Sequence, residues 1–470
     1  MMMKKTISKP MLISLLAIIL FNGCRKRDGF TLPDNYVVFT TDAQGITETE
    51  SAITIRVKLS RPTDKEIPLT INFTPDKVVY GTDFITAPAA VSGTLNIVIP
   101  SGNNEASFTI NKIPGVLFDG DEKVDFNLYS SGSPVLIGAT KKFSLTFKEL
   151  VAATSSLTVN GGGAAFPNKV FIDISANRQT PVLRTNWDLG FYTGADDYRV
   201  VLNSSAAMMA KQINKNDLVQ VTAADTIGFS TEVAFSQFAP ATTSLPYIDY
   251  PSGDLTKTAI ASIASIATDN KVYIVNRGAG VGVPAPARGW KKIRIIRNAG
   301  GGYTLQHADI ASTTFTTVDI SKDETYFFKY ISFENGAVGI EPVKKKWDIA
   351  WTYFANVTNF GSGEVPYLFQ DVVLLNKNVQ VAKILTSAKT FDSFIEGDIA
   401  TQTFLTTQNA IASDWRSGGG PASAPAVRTD RYYIIKDGDN NYYKLRFTDL
   451  TQAGERGYPR YETVLIKRGG

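Results

Sequence analysis

The chain has few side chains that could act as nucleophiles or soft metal ligands. It holds one cysteine, Cys24, and one histidine, His307. Beyond residue 23 the only methionines are the adjacent Met208 and Met209. A lone imidazole cannot assemble a histidine metal site, and neither His-Glu-Xaa-Xaa-His nor Gly-Xaa-Ser-Xaa-Gly occurs. Aspartates and glutamates are plentiful at the ends of apolar runs, but no pattern brings two together as an acid and base for glycoside hydrolysis. The pattern is that of a binding protein and not an enzyme.

The thiol has a specific setting. Lys4 and Lys5 precede the apolar run from Leu12 to Phe21, which ends at Gly23-Cys24. The run is too short to span a bilayer comfortably and reads as a secretory signal. A small residue before a single cysteine resembles the lipobox of bacterial lipoproteins, which implies that Cys24 becomes the acylated first residue of the mature chain. Two or three acyl chains would anchor it stably. No thiol remains in the body, so no disulfide is expected. Removing residues 1–23, with Lys4, Lys5 and Lys9, brings the 48 basic side chains to within one of the 44 acidic ones. That balance gives no reason to expect nucleic acid as a partner.

Residues 24–34 form a short charged tether. From 35 to 149 the apolar period is two: Ile53, Ile55, Val57 and Leu59 alternate with polar residues, as do Ile67, Leu69, Ile71 and Phe73. About seven short strands fit a two-sheet, Ig-like sandwich. The order Gly81-Thr-Asp83-Phe84, Ile-Pro-Ser-Gly and Asp119-Gly-Asp121-Glu122 resembles the Calx-beta type of sandwich. Some members of that type bind calcium through carboxylates at one end. The resemblance carries this over to Glu48, Asp83, Asp119, Asp121 and Glu122, whose hard oxygens suit Ca2+. Acidic turns that serve only solubility and backbone capping are the competing reading.

The remainder repeats. Trp187-Asp188-Leu-Gly-Phe191 and Trp347-Asp348-Ile-Ala-Trp351 lie 160 residues apart, and 86 residues separate Trp187 from Tyr273 and Trp347 from Tyr433. Upstream, Lys169-Val-Phe-Ile-Asp-Ile-Ser175 matches Tyr326-Phe-Phe-Lys-Tyr-Ile-Ser332. This predicts a linker at 150–162, a first repeat over 163–320 and a second over 321–470. The spacing of apolar residues in 252–267 predicts one short helix, with a second helical patch at 206–211. Tyr198–Leu202 is expected to pair with the strand after Trp187, and Asp437-Gly-Asp-Asn440 to form a hairpin turn. Trp187 and Trp347 are expected to fill space between sheets, with Asp188 and Asp348 tying down the adjoining turns.

The Trp-Asp pentad, the Val357-Thr-Asn359 step and the closing Tyr442-Tyr-Lys-Leu-Arg-Phe-Thr448 with Gly457-Tyr-Pro459 resemble the HmuY family of Bacteroidota surface lipoproteins. The resemblance implies an all-β chain: a Calx-beta-like sandwich followed by two tandem HmuY-like domains, displayed at the outer membrane by a lipid anchor. It also implies haem taken from host haemoproteins and passed to an outer-membrane receptor. Haem needs axial donors, and the family's histidine positions hold Tyr192 and Thr352 in this chain. Met208, Met209 and Tyr192 are therefore the candidate haem ligands, with His307 expected at the surface or in a local hydrogen bond. A groove of exposed aromatics for glycan, peptide or protein, without haem, is the alternative.

Overall fold

The computed structural model describes residues 32–469 apart from 48–49, 115, 117–121, 149–152, 236–238 and 419–423. The first ten strands are β1 (Tyr36–Phe39), β2 (Ala43–Gly45), β3 (Ala52–Leu59), β4 (Ile67–Asp76), β5 (Phe84–Ala87), β6 (Thr94–Ile99), β7 (Glu105–Lys112), β8 (Lys123–Ser131), β9 (Leu136–Ile137) and β10 (Lys142–Thr146). They form two sheets, ordered β5-β7-β3-β1-β9 and β2-β10-β8-β4-β6. Alternation sets the layers: Ile53, Ile55, Val57 and Leu59 point inward from β3 to meet Leu69, Ile71 and Phe126 from the facing sheet.

The carboxyl-terminal part is built from β11 (Thr154–Thr158), β12 (Asn168–Asp173), β13 (Arg178–Leu183), β14 (Leu189–Tyr192), β15 (Val200–Leu202), β16 (Met209–Gln212), β17 (Tyr273–Asn276), β18 (Trp290–Arg297), β19 (Tyr303–Ala308) and β20 (Thr316–Ile320). There follow β21 (Phe328–Ser332), β22 (Gly336–Val338), β23 (Ile349–Asn359), β24 (Glu364–Leu375), β25 (Gln380–Leu385), β26 (Arg416–Ser417), β27 (Ala426–Val427), β28 (Arg431–Lys436), β29 (Tyr442–Gln452) and β30 (Glu455–Lys467). The hairpin partner of β14 is β15, and the turn at 437–440 joins β28 to β29.

Strand pairing moves the boundary expected at 320/321. One five-stranded sheet runs β16-β17-β18-β19-β20 and the other β25-β28-β29-β30-β11. The four-stranded sheets run β15-β14-β21-β22 and β24-β23-β12-β13. Each half thus lends the other its leading strand and hairpin: β20 to β22 complete the sheets of the first half, and β11 to β13 those of the second. Compact units divide between β13 and β14 and again between β22 and β23, and the apolar clusters follow that division. Leu189, Phe191, Ile293 and Leu305 pack with Ile320 and Ile331. Leu157, Val170 and Ile172 pack with Trp351, Tyr433 and Tyr461.

No helix forms over 252–267. Ile260 and Ile263 anchor this stretch in the core, but the N–H groups around them bond outside it. Ala261 N–H donates to the Tyr273 hydroxyl, Ala259 N–H to Asp249 and Ala264 N–H to Asn270. Side-chain acceptors from neighbouring segments outcompete a helix rich in Ser and Thr. In the patch at 206–211, Ser204–Ala206 makes one 3-10 turn and Met209 already begins β16.

The Trp-Asp motifs hold the exchanged hairpins by matched contacts. Asp188 N–H donates to Ile331 O, and Asp348 N–H to Ile172 O. The Asp188 carboxylate accepts Phe333 N–H at 2.8 Å, and that of Asp348 accepts Ile174 N–H at 2.8 Å. Asn203 and Asn376 return their side-chain amides to Trp187 O and Trp347 O, each at 2.8 Å. These contacts equate Ile172 with Ile331 and Phe171 with Tyr330, a register two residues away from the one the sequence match suggests. Each indole meets the equated ring edge-on: Trp187 lies 4.7 Å from Tyr330, and Trp347 4.9 Å from Phe171. Their indole N–H groups are buried without an acceptor among the described residues.

The two carboxylates differ in their counter-ions. Asp188 is fully buried and paired with Arg277 at 2.9 Å and Arg288 at 2.8 Å. The position that matches Arg277 in the second half is Asp437. Burial, then Asp173 and Asp437, push the Asp348 carboxyl well above the usual carboxylate range. Asp188→Asn should therefore destabilise the carboxyl-terminal part by about 3–5 kcal/mol, because it leaves two buried guanidiniums short of charge. Asp348→Asn, which keeps an acceptor for Ile174 N–H and removes no cation's partner, should cost about 1 kcal/mol or less. All five tryptophans lie in this part, so denaturation followed by tryptophan fluorescence measures it; equal losses would contradict the asymmetry.

Candidate functional site

The exchanged strands meet in a shared cluster of Phe171, Trp187, Tyr330, Ile340, Trp347 and Ala350. It forms because the two equated rings, Phe171 and Tyr330, project from swapped strands toward the same axis. Two cavities flank it, with Phe328 and Tyr330 in the wall of both. The narrow one, about 90 Å3, is lined by Lys169, Trp187, Asp249 and Phe354 besides these two rings. The wider one, about 420 Å3, adds Tyr326, Lys329, Ile340 and Glu341. Its rim residues Asp319, Ser321, Ala337 and Gly339 are exposed.

Three ionisable groups stand out on these walls. The Lys169 ammonium lies 4.9 Å from the Phe171 ring centre and 6.0 Å from that of Trp187. Burial pushes it down to about 8, against the pull of Glu341. Glu341 is buried and accepts three hydrogen bonds: Phe327 N–H at 2.8 Å, Phe328 N–H at 2.7 Å and the Tyr330 hydroxyl at 3.0 Å. Its carboxyl is nevertheless raised by burial to about 7. Asp249 accepts Leu202 N–H at 2.6 Å and Ala259 N–H at 2.9 Å, and burial raises it to about 7 as well. Aromatic faces beside lysines and carboxyls suit a ligand that stacks and exchanges hydrogen bonds. Among the described residues, no group of three or more His, Cys, Asp or Glu is placed to hold a metal ion.

The residues singled out from the sequence lie elsewhere. Met208 and Met209 are both buried and belong to different clusters, Met208 with Leu189 and Tyr273, Met209 with Leu218 and Phe229. Neither lines a seam cavity, and neither does Tyr192. Tyr192 packs 5.6 Å from the Phe328 ring, with the Lys377 ammonium 5.6 Å over its face. Burial and then Asp197 raise its hydroxyl, the opposite of the lowering an anionic donor requires. His307 is buried in β19 and not at the surface; its ring lies 5.0 Å from Phe333, and burial holds its pKa below the ordinary imidazole value. Asp83 accepts Val79 N–H at 2.7 Å within its own turn, and Glu122 is buried. Glu48, Asp119, Asp121 and Cys24 fall outside the described residues.

Lys169, Asp249 and Glu341 had no sequence signal as a group. Lys169 stood out only as an anchor of the repeat, and the other two are single acids beside apolar residues. Strand exchange alone brings Lys169 and Glu341 together.

The Glu341 carboxyl gives a pH signature. Its folded value lies above its unfolded one, so the folded state holds an extra proton. Stability should be full below pH of about 4.5 and fall as pH rises to about 7, by up to about 3 kcal/mol. Asp249 contributes in the same sense. Glu341→Gln should flatten the decline in fluorescence-detected stability over that window, and Glu341→Gln/Asp249→Asn should flatten it further. An unchanged slope in both variants would show that these groups ionise freely.

No curated protein sequence matches the chain. The fold resembles the apo form of the Calx CBD1 domain, at 17% identity over 24% of this chain and 96% of that one, with a TM-score of 0.21. It also resembles an HmuY-like heme-binding protein from Bacteroides vulgatus ATCC 8482, at 9% identity over 67% of this chain and 93% of that one, with a TM-score of 0.15. A two-domain protein from Bacteroides fragilis NCTC 9343 matches 45% of this chain and 82% of its own at 9% identity, with a TM-score of 0.19. The family model described as HmuY protein matches residues 165–462, which covers both exchanged hairpins and the strands from β12 to most of β30. The chain belongs to the HmuY family.

Proposed function

We propose that this HmuY-family chain is a non-enzymatic binding protein of the cell envelope, anchored through acylated Cys24, that takes its ligand at the seam between the exchanged halves. One observation carries the reading. The seam cavities are walled by Tyr326, Phe328 and Tyr330 with Lys169, Lys329 and Glu341, while Met208, Met209 and His307 are packed into apolar clusters away from them. A ring-bearing polar ligand, such as a short glycan, suits those walls. Rings stack on the aromatic faces, and hydroxyls exchange hydrogen bonds with the charged groups. No helix among the described residues is long and apolar enough to cross a membrane, and the proposed attachment is the lipid at Cys24. Calcium at the acidic turns has no support among the described residues.

Haem capture, with transfer to an outer-membrane receptor, is the second reading, favoured by the family to which the chain belongs. Titration of residues 25–470 with haemin, oxidised and reduced, separates the two. The expected result is no saturable Soret change, in wild type and in Met208→Leu/Met209→Leu alike. Leucine keeps the volume of each buried side chain, so the variant should fold. A saturable band that survives in the variant would assign haem to other ligands. One that is lost would restore Met208 and Met209 as axial donors and overturn the seam assignment.

A further inference from the structure

The sandwich carries an exposed groove that plays no part in the seam. Tyr36, Val38, Tyr129, Ile137 and Lys141 line it, around a volume of about 740 Å3. Tyr36 opens β1 and Tyr129 lies near the end of β8. The parallel pair β1–β9 sets Leu136 beside Tyr36 and Ile137 beside Val37, and Leu128 N–H bonds to Lys141 O. Large apolar surface stays in water here: Tyr36 is 40% exposed, Tyr129 66% and Leu136 48%. Lys141 is exposed in the groove, and among the described residues the carboxylate bonded to a lining tyrosine is Asp34, 3.4 Å from the Tyr36 hydroxyl. Ile137 packs against the sandwich core, but the exposed Tyr36, Tyr129 and Leu136 are not among the residues that fill it.

The position of the groove in the chain says what would cover it. Tyr36 is twelve residues from Cys24. Twelve residues extend to roughly 40 Å at most. Arg25, Lys26 and Arg27 in that tether are cationic. A lipid at Cys24 would therefore hold the groove within about one small-domain diameter of the headgroups. Tyrosine, leucine and lysine together are the side chains that settle at a bilayer interface, rings at headgroup level and ammonium groups on anionic lipid.

We propose that this groove lies on the phospholipid headgroups of the membrane that carries the anchor, so that the sandwich is a membrane-oriented base and not a free-swinging spacer. The inference rests on acylation at Cys24, and its test keeps the two apart. Because Cys24 is the only thiol, mature chain 24–470 can be coupled through it to maleimide-bearing lipid in phosphatidylethanolamine–phosphatidylglycerol vesicles, whatever happens to it in cells. Hydrogen exchange is then compared for anchored and soluble protein. Amides of 34–38 and 127–141 are expected to slow by about tenfold on anchoring, and Tyr36→Ser/Tyr129→Ser should lose that protection while staying coupled. Unchanged exchange in anchored wild type would overturn the proposal. So would equal slowing in soluble protein at high concentration, which would assign the groove to a second copy of the chain. The acylation reading fails separately if Cys24→Ser fractionates with membranes as wild type does.

Discussion

Everything in the carboxyl-terminal part depends on a backbone clamp made twice. Each Trp-Asp motif sends its aspartate across to the other half, where the backbone N–H meets a strand carbonyl and the carboxylate takes the N–H that follows the strand end. A buried strand end that lost these partners would leave polar groups unsatisfied, each at a cost of about 1–3 kcal/mol. The tryptophan beside each aspartate fills the space above the same strand. One dipeptide thus fixes both the register of the exchanged hairpin and its packing. Neither half can close its four-stranded sheet alone, which couples the two copies into one folding unit.

The copies have diverged where the clamp meets its surroundings. In the first half Arg277 and Arg288 neutralise the buried carboxylate, and Arg277 reaches on to Glu334 at 2.9 Å. In the second half the matching residue, Asp437, is spent on its own hairpin turn, accepting the N–H groups of Asp439 and Asn441. The first clamp is an ion-paired network and the second leans on a carboxyl inclined to keep its proton. A buried ion pair costs desolvation that its attraction barely repays, so it contributes register more than net stability. The seam shows the same divergence, since Lys169 stands on β12 where the equated position on β21 is Phe328.

The sequence was legible wherever one face of a strand repeats at period two. The sandwich strands, the β14–β15 pair and the turn at Asp437 could all be read from alternation and turn residues. The strand exchange could not, because two copies of one pattern are indifferent to which hairpin completes which sheet; only three-dimensional pairing breaks that tie. The two-residue slip in the repeat register has the same origin, since Ser175 and Ser332 matched by type while Ile172 and Ile331 match by contact. The expected helix at 252–267 failed because its spacing came from two core anchors, Ile260 and Ile263, in a loop whose N–H groups have side-chain acceptors. Met208 and Met209 drew attention as rare soft donors. A strand, however, sends neighbours to opposite faces, so an adjacent pair there enters two separate cores. Lys169 and Glu341 lie far apart in sequence, and nothing but topology could join them.

The contact between the sandwich and the rest gives the groove at the membrane a consequence for the seam. Thr41 forms a bridge with Ser155, and Ser156 N–H donates to Thr40 O at 2.8 Å, so β11 is hydrogen-bonded to the sandwich before it enters the sheet beyond. Gln44 is buried and donates to Ala176 O and Asn177 O at 3.0 and 3.2 Å. Lys58 reaches Ser156 at 2.7 Å, Thr158 reaches Glu105 at 2.9 Å, and Arg178 pairs with Glu50. These bonds are directional and come from three separate stretches of the sandwich, so sliding or rotation would break several at once. A loose linker would have left the seam free to face any direction. This junction instead passes the orientation of the sandwich through β11 and the turn after β12 into the sheets of the second half, where β12 carries Lys169 and Phe171 of the seam, so whatever surface sets the base also sets which way the cavity opens.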